Sequence, residues 1–462
     1  MFPQIKTAVP GPQSRKIIAE LAEYESPAIT ARHLSRARDG GMDCPIVWAK
    51  TEDVFVEDVD GNRFIDLTSG FGVANIGHAH PTVVKAGQEQ LAQMPHAMGD
   101  VFPAHNKLLL AKRLAQITPG NLKRTLFANA GFEAVEAALK TAMIKTGKPG
   151  IIAFEDAYHG LGYGALAVTS YREHFRKPFL PQINPHIYRL PFPTELGNFA
   201  NLLEETIQKA EKSAAPIGAL IIEPILGRGG ILEAPLECLK HIRQICSHYQ
   251  IIMIADEICT GFGRTGSWFA LEHPEVIPDL LCLGKGMNGG FPISAVIGSD
   301  EVMAGWGDAQ GEAIHTSTFL GNPVGCAMAL ACIEVLEKGL LSQVKQSGDY
   351  LKSQLLNLQK EFPHLAKIRG RGLMLGLEFQ HADKNFVLKL SKALLQKGFI
   401  ALPCGVQSNI LGLTPPFTIS HQQIDYFIEI LSNILSFKKL DYLKKHPDTI
   451  QSDPDDLIHL NW

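Results

Sequence analysis

Short, mostly apolar runs of four to six residues recur through the middle of the chain: Arg124–Ala128, Ile151–Phe154, Ala219–Ile222, Ile251–Ala255, Leu280–Leu283 and Ile293–Gly298. Their continuity is that of strands buried on both faces. Between them lie stretches with helical spacing, as in Pro235–Tyr249, where Leu236, Leu239, Ile242 and Ile245 form one apolar stripe. Strand, helix and strand in that order around Ala219–Ile254 predict a parallel sheet.

The flanks have a different texture. Val54–Leu67 alternates apolar and polar residues on either side of Asp60-Gly61, which predicts a hairpin. Ser69–Pro81 is glycine-rich and too irregular for a strand, and it leads into a helical stretch, Thr82–Met94. Another helix covers Asn106–Ile117, and Asn322 with Pro323 marks the start of a long one. Beyond Gly339 come Ile368–Phe379, a helix over Phe386–Lys397, a strand over Phe399–Pro403 and a final helix over Gln422–Leu435. Met1 to about Pro45, with Arg32, Arg36 and Arg38, reads as an arm with a short helix. Lys438, Lys439, Lys444 and Lys445 read as a solvated helix face, and Pro447–Trp462 as a disordered or late-docking tail. These divisions predict an arm and part of a small domain over 1–101, a large domain over 102–338 and a C-terminal small domain over 339–462.

Length and composition agree with this plan. A chain of 462 residues is long for one domain, and 45% hydrophobic with 19% charged residues describes an ordinary globular protein. A formal charge of −4 gives no reason to expect nucleic acid, so the ligand is expected to be small. The eight cysteines, including Cys44, Cys259 and Cys404, lack C-x-x-C spacing and mostly sit in apolar segments, so reduced thiols are expected. Without a membrane-spanning run or an apolar stretch behind the first basic residues, a cytoplasmic location away from membranes is expected.

The candidate chemistry lies at two strand ends. Ile251–Ala255 stops on Asp256-Glu257 and Leu280–Leu283 on Gly284-Lys285, which places an acid and an amine at the sheet edge where α/β proteins bind ligands. An amine in a low-dielectric setting loses its charge readily, as a Schiff-base lysine requires. Pyridoxal phosphate needs such a lysine and an acid beside its ring nitrogen. The plainer alternative is that Asp256 caps a turn and Lys285 is solvated. Asn129–Lys140 is a strand-to-glycine-to-helix junction whose free amides suit a phosphate, although glycine also starts many ordinary helices. His78-x-His80 lacks a third ligand nearby, so no metal is expected.

Asp256-Glu257-Ile258-Cys259-Thr260-Gly261-Phe262-Gly263-Arg264-Thr265-Gly266 with Leu283-Gly284-Lys285-Gly286-Met287-Asn288-Gly289-Gly290-Phe291-Pro292 resembles the signature of class III, fold-type I pyridoxal-phosphate aminotransferases. Further matches run from about Val54 to about Pro416. The resemblance implies an α/β fold, with a large domain around a mostly parallel sheet flanked by helices and a smaller α+β domain from the N- and C-terminal segments. It implies that Lys285 attaches the cofactor and moves the donor proton while Asp256 holds the ring nitrogen protonated. It also implies cofactor contacts from Ala130, Gly131 and Phe132 at the phosphate, from Tyr158 stacking on the ring beside His159, and from Glu223, Ile258 and Cys259. Phe71 belongs to the loop that walls the substrate pocket. The threonine matching Thr318 reaches the neighbouring subunit's phosphate, which implies a homodimer with shared sites.

This chain departs from the family pattern at several positions. Phe132 stands where a hydroxyl is usual, and Cys259 where a glutamine often binds the cofactor's phenolic oxygen. Gly412 replaces the arginine that grips an α-carboxylate, and Leu161 replaces the one used for 4-aminobutyrate. Arg228 stands where a glutamate is common, and we read it as a receptor for a substrate carboxylate or as a structural ion pair. The expected reaction moves an amino group from an amino acid or amine, ω-amino donors included, to a keto acid. A racemase, epimerase, aminomutase or decarboxylating relative using the same Lys285 and Asp256 stays open, as does a catalytically silent scaffold.

Overall fold

The computed structural model describes residues 1–30, 45–307, 311, 313–362, 365–380 and 385–436. Arg32, Arg36, Arg38, Cys44, the lysines from Lys438 to Lys445 and the tail 447–462 lie outside the described residues.

Three strands come first: β1 (Trp48–Glu52), β2 (Phe55–Asp58) and β3 (Arg63–Asp66), paired antiparallel in that order. Asp58 shapes the turn between β2 and β3, its Oδ1 accepting the amides of Asp60 and Asn62 at 3.0 and 2.8 Å. The expected hairpin is therefore present.

The central sheet uses β4 (Arg124–Ala128), β5 (Gly150–Phe154), β6 (Ile187–Leu190), β7 (Ile217–Ile222), β10 (Ile252–Asp256), β11 (Leu280–Leu283) and β12 (Ser294–Gly298) in the order β4-β12-β11-β10-β7-β5-β6. A two-stranded ribbon, β8 (Ile225–Leu226) and β9 (Leu232–Glu233), follows β7. Successive side chains of β10 enter opposite layers. Ile252 and Ile254 pack with Ala134, Val135 and Ala138 of the helix Gly131–Thr146, whereas Met253 and Ala255 join Leu239 and Ile242 of the helix Leu236–Tyr249. Every residue of β7, β10, β11 and β12 is buried, which explains their unbroken apolar character.

Parallel pairing holds from β11 through β6, but β12 runs antiparallel to both β11 and β4. A strand buried on both faces has the same composition in either direction, so the sequence does not encode this reversal in its pattern. The architecture is α/β with a large, mostly parallel sheet.

The C-terminal part contributes β13 (Leu365–Arg371), β14 (Met374–Phe379), β15 (Phe399–Ile400), β16 (Leu402–Cys404) and β17 (Ile410–Leu413). Four of them form an antiparallel sheet, β13-β14-β17-β16. The single strand expected over Phe399–Pro403 is instead divided: β16 belongs to that sheet, and β15 pairs parallel with β3. Ile65 and Leu67 donate their amides to Gly398 and Ile400 at 2.8 Å, so one sheet draws on both ends of the chain.

Candidate active site

Asp256 ends β10, and Lys285 follows β11, its parallel neighbour. Asp256 is buried, with Oδ1 accepting the Ile258 amide at 3.1 Å and Oδ2 lying 2.7 Å from His159 Nδ1. Opposite an ionised carboxylate, Nδ1 is the donor. His159 is also buried, and its amide is held by Thr169 Oγ1 at 2.9 Å. Burial by itself lowers the His159 pKa, but the hydrogen bond and charge of Asp256, aided by Glu223, outweigh it and leave the pKa raised.

Glu223 follows β7 and closes the turn between Tyr158 and Gly227. Its Oε1 accepts the Tyr158 amide at 2.8 Å and its Oε2 the Gly227 amide at 2.9 Å. Burial raises its pKa, and Asp256 adds to that against the opposing pull of His159. Two carboxylates thus share a buried layer with the His159 imidazole.

Lys285 has a left-handed backbone, φ 44°, and its Nζ lies 2.6 Å from Cys259 Sγ. Burial lowers the Lys285 pKa, but Cys259, Asp256 and Glu223 together outweigh it and leave the pKa raised. The groups responsible converge from β10, the turn after it and the end of β7. Burial raises the Cys259 thiol, and the nearby ammonium only partly opposes it.

Above this layer opens a cavity of about 280 Å³, with Lys285, Cys259, Tyr158, Arg228 and Phe71 in its walls. Gly70 and Phe71 are both left-handed, with φ 53° and 67°, and Phe71 is half exposed at the rim. The Arg228 guanidinium lies 4.2 Å from the Tyr158 ring centroid, 5.3 Å from that of Tyr171 and 5.9 Å from that of Phe175. Such stacking favours the planar cation of arginine. Burial lowers the Arg228 pKa.

Ala130 caps the helix Gly131–Thr146, and Glu133 folds back so that Oε2 accepts the amides of Asn129 and Ala130 at 2.7 and 3.2 Å. The first amides inside the helix, those of Gly131 and Phe132, have no carbonyl one turn earlier to receive them. At Gly131 a Cβ would lie 3.0 Å from Ile258 Cδ1, so glycine keeps this approach open. Phe132 lies against the turn after Tyr158, where a Cβ on Gly160 would come within 2.3 Å of its own. Thr318 is exposed and outside this chain's cavity. His78 serves the loop, its Nε2 lying 2.8 Å from Asp66 Oδ2.

Sequence reading gave no role to Arg264, which also reaches the cavity wall. Although fully buried, it donates to the carbonyls of Leu373 and Pro415 at 2.8 and 2.7 Å and to Ser69 Oγ at 3.2 Å, and it bonds Asn75 Oδ1. Burial pulls its pKa down to about 9. A fixed arginine inside a glycine-rich motif was the available signal, but its partners are distant in sequence.

The sequence model of the class III aminotransferase family matches residues 37–435. The chain belongs to the class III aminotransferases. It is similar to the (S)-enantioselective ω-transaminase of Thermomicrobium roseum, with 30% identity over 94% of this chain and 99% of that one and a TM-score of 0.82. A transaminase from the marine bacterium Virgibacillus shows 26% identity over 87% and 94% of the two chains, with a TM-score of 0.79. An amine transaminase from an uncultivated Pseudomonas species, in its PLP-bound form, shows 27% identity over 85% and 95%, with a TM-score of 0.78. As a class III aminotransferase, the protein is a pyridoxal-phosphate-dependent enzyme of fold-type I.

The donor set suits that cofactor. A fixed buried carboxylate, a cavity lysine and a helix start kept open by Gly131 match its ring nitrogen, its carbonyl and its phosphate. Among the described residues no helix is long and apolar enough to cross a membrane.

Proposed function

We propose that this aminotransferase moves an amino group from an amine or amino acid, ω-amino donors included, to a keto acid in the cavity where Lys285, Cys259 and Arg228 meet. The observation that carries this reading is the pairing of Asp256 and Lys285 at the ends of adjacent parallel strands.

When bound, pyridoxal phosphate supplies the carbonyl that takes up the amino group and the ring that disperses the electron pair left on the donor carbon. Lys285 Nζ holds the cofactor between turnovers and, once released, takes the proton from the donor carbon and returns it. Asp256, oriented by His159 and the Ile258 amide, keeps a proton on the ring nitrogen. Glu223 holds the Tyr158 turn in place, and Tyr158 offers the ring an aromatic face. The amides of Gly131 and Phe132, next to Ala130, bind the phosphate. Arg228 receives the carboxylate of the keto acid.

The segment carrying Thr318 completes the phosphate site of a second copy in a homodimer. Mixing Lys285→Ala with Thr318→Ala chains should then restore one intact site per mixed dimer. Activity no greater than the sum of the separate variants would remove the shared-site reading. Residues 102–338 form the cofactor-binding lobe in this reading, and 1–101 with 339–462 the smaller lobe. The unpaired thiols of the described cysteines support a cytoplasmic setting.

The deciding experiment follows the absorbance of the cofactor-loaded enzyme against α-amino acids, ω-amino acids and simple amines. Loss of the bound-cofactor band with release of a carbonyl product is expected, and Lys285→Ala should abolish it. A persistent band with racemised donor would replace transamination by racemisation.

A further inference from the structure

The turn between β8 and β9 contains Arg228 and, three residues later, Ile231. Ile231 is β-branched yet has φ 53°, a left-handed backbone that such residues rarely adopt. It is 3% exposed, lines the cavity and packs with Met374, Cys404 and Ile410. Strain of this kind persists where the surroundings require it, and it gathers at functional sites.

Three glycines on neighbouring strands make room for this side chain. A Cβ on Gly370 of β13 would lie 2.8 Å from Ile231 Cγ2, one on Gly376 of β14 would lie 3.2 Å from its Cβ, and one on Gly412 of β17 would lie 3.6 Å from its Cδ1. Gly370 also has φ 98°, which itself favours glycine. Gly376 and Gly412 lack positive φ, so at these positions the missing side chain leaves space. Ile231 fills that space and gives the cavity an apolar wall with Met374, Leu402 and Cys404. One turn therefore supplies both a cation and part of the apolar wall of the cavity.

We propose that Ile231 sets the amino-donor specificity by contacting the substituent beside the donor's amino carbon, accepting an uncharged hydrocarbon there and refusing a carboxylate. The inference rests on the transaminase reading of the same cavity. A carboxylate against this wall would lose water without gaining a donor, whereas a hydrocarbon loses nothing polar. In the proposed reaction Arg228 receives the acceptor's carboxylate, so one cavity serves two unlike substrates in turn.

The test compares wild type, Ile231→Val and Ile231→Ala across primary amines whose substituent grows from methyl to phenyl, with one common keto acid. Donor kcat/KM should change in a size-dependent way: roughly 10-fold lower for the smallest donors in Ile231→Ala and higher for the phenyl-bearing one, with Ile231→Val between them. The keto acid kcat/KM should stay unchanged, since Arg228 is untouched. A uniform change across all donors, or a change confined to the keto acid, would overturn the assignment. Dissociation constants for the same amines, from titration calorimetry on the holoenzyme, should show the same ordering. Absence of turnover in wild type would refute the transaminase reading, while the calorimetric ordering would still decide the role of Ile231. Ile231→Val retains the branched side chain and keeps the comparison open if Ile231→Ala does not fold.

Discussion

Lys285 Nζ and Cys259 Sγ lie 2.6 Å apart, which joins the end of β11 to the turn after β10 through a polar contact inside the cavity. The sulfur is one of three groups that raise the Lys285 pKa against the effect of burial.

Removing it should let burial act more strongly. In Cys259→Ala the Lys285 pKa should fall, so the midpoint for labelling of apoprotein Lys285 by an amine-reactive reagent should move to lower pH. Peptide mapping by mass spectrometry reads that midpoint directly. An unmoved midpoint would show that Asp256 and Glu223 suffice.

Glu257 gives the stability of the fold a pH dependence. Its Oε2 accepts Thr260 Oγ1 at 2.6 Å and the Ala270 amide at 2.7 Å, and its Oε1 accepts the Leu271 amide at 2.8 Å. Burial outweighs these bonds and pushes the pKa from 4.5 up to about 7. Between those values the folded chain binds more protons than the unfolded chain, so this contribution to stability is full below the lower value and is lost as pH rises through the higher one. The loss is on the order of 3 kcal/mol. Chemical denaturation from pH 4.5 to 8 should show the decline, and Glu257→Gln should flatten it.

Arg264 ties the Ser69–Asn75 loop to Leu373 and Pro415, which belong to the other end of the chain. Arg264→Met should strand two buried carbonyls and cost more than about 3 kcal/mol in denaturant unfolding. Arg264→Lys should recover part of that loss, and cleavage in the 69–75 loop under limited proteolysis should rise in both variants. Unchanged stability in Arg264→Met would mean that water replaces the guanidinium.

Six of the seven strands of the central sheet were legible because each is short, mostly apolar and bounded by polar or glycine residues, whereas β6, with Tyr188 and Arg189 among its four residues, was missed. β10 and β11 therefore carried Asp256 and Lys285 to adjacent ends without further information. The direction of β12 was not legible, since a fully buried strand shows no orientation. The two short pieces β15 and β16 read as one strand because Ala401 between them is apolar. The charge state of Lys285 depends on Glu223 and Cys259, whose approach follows from pairing across β7, β10 and β11. Ile231 was hidden for a similar reason. Its place is set by three glycines more than a hundred residues later, and a φ of 53° leaves no trace in composition.

The pairing of β15 with β3 also bears on how the chain is made. A ribosome releases Ile65 more than 300 residues ahead of Phe399, its partner in register. At about 5–20 residues per second the interval is roughly 20 to 70 seconds. Throughout it the inner edge of β3 has amides without acceptors beside the apolar Phe64 and Ile65, an invitation to pairing with other nascent chains. The sheet at the amino-terminal end of the chain is therefore complete only after the segment carrying β15 has been made.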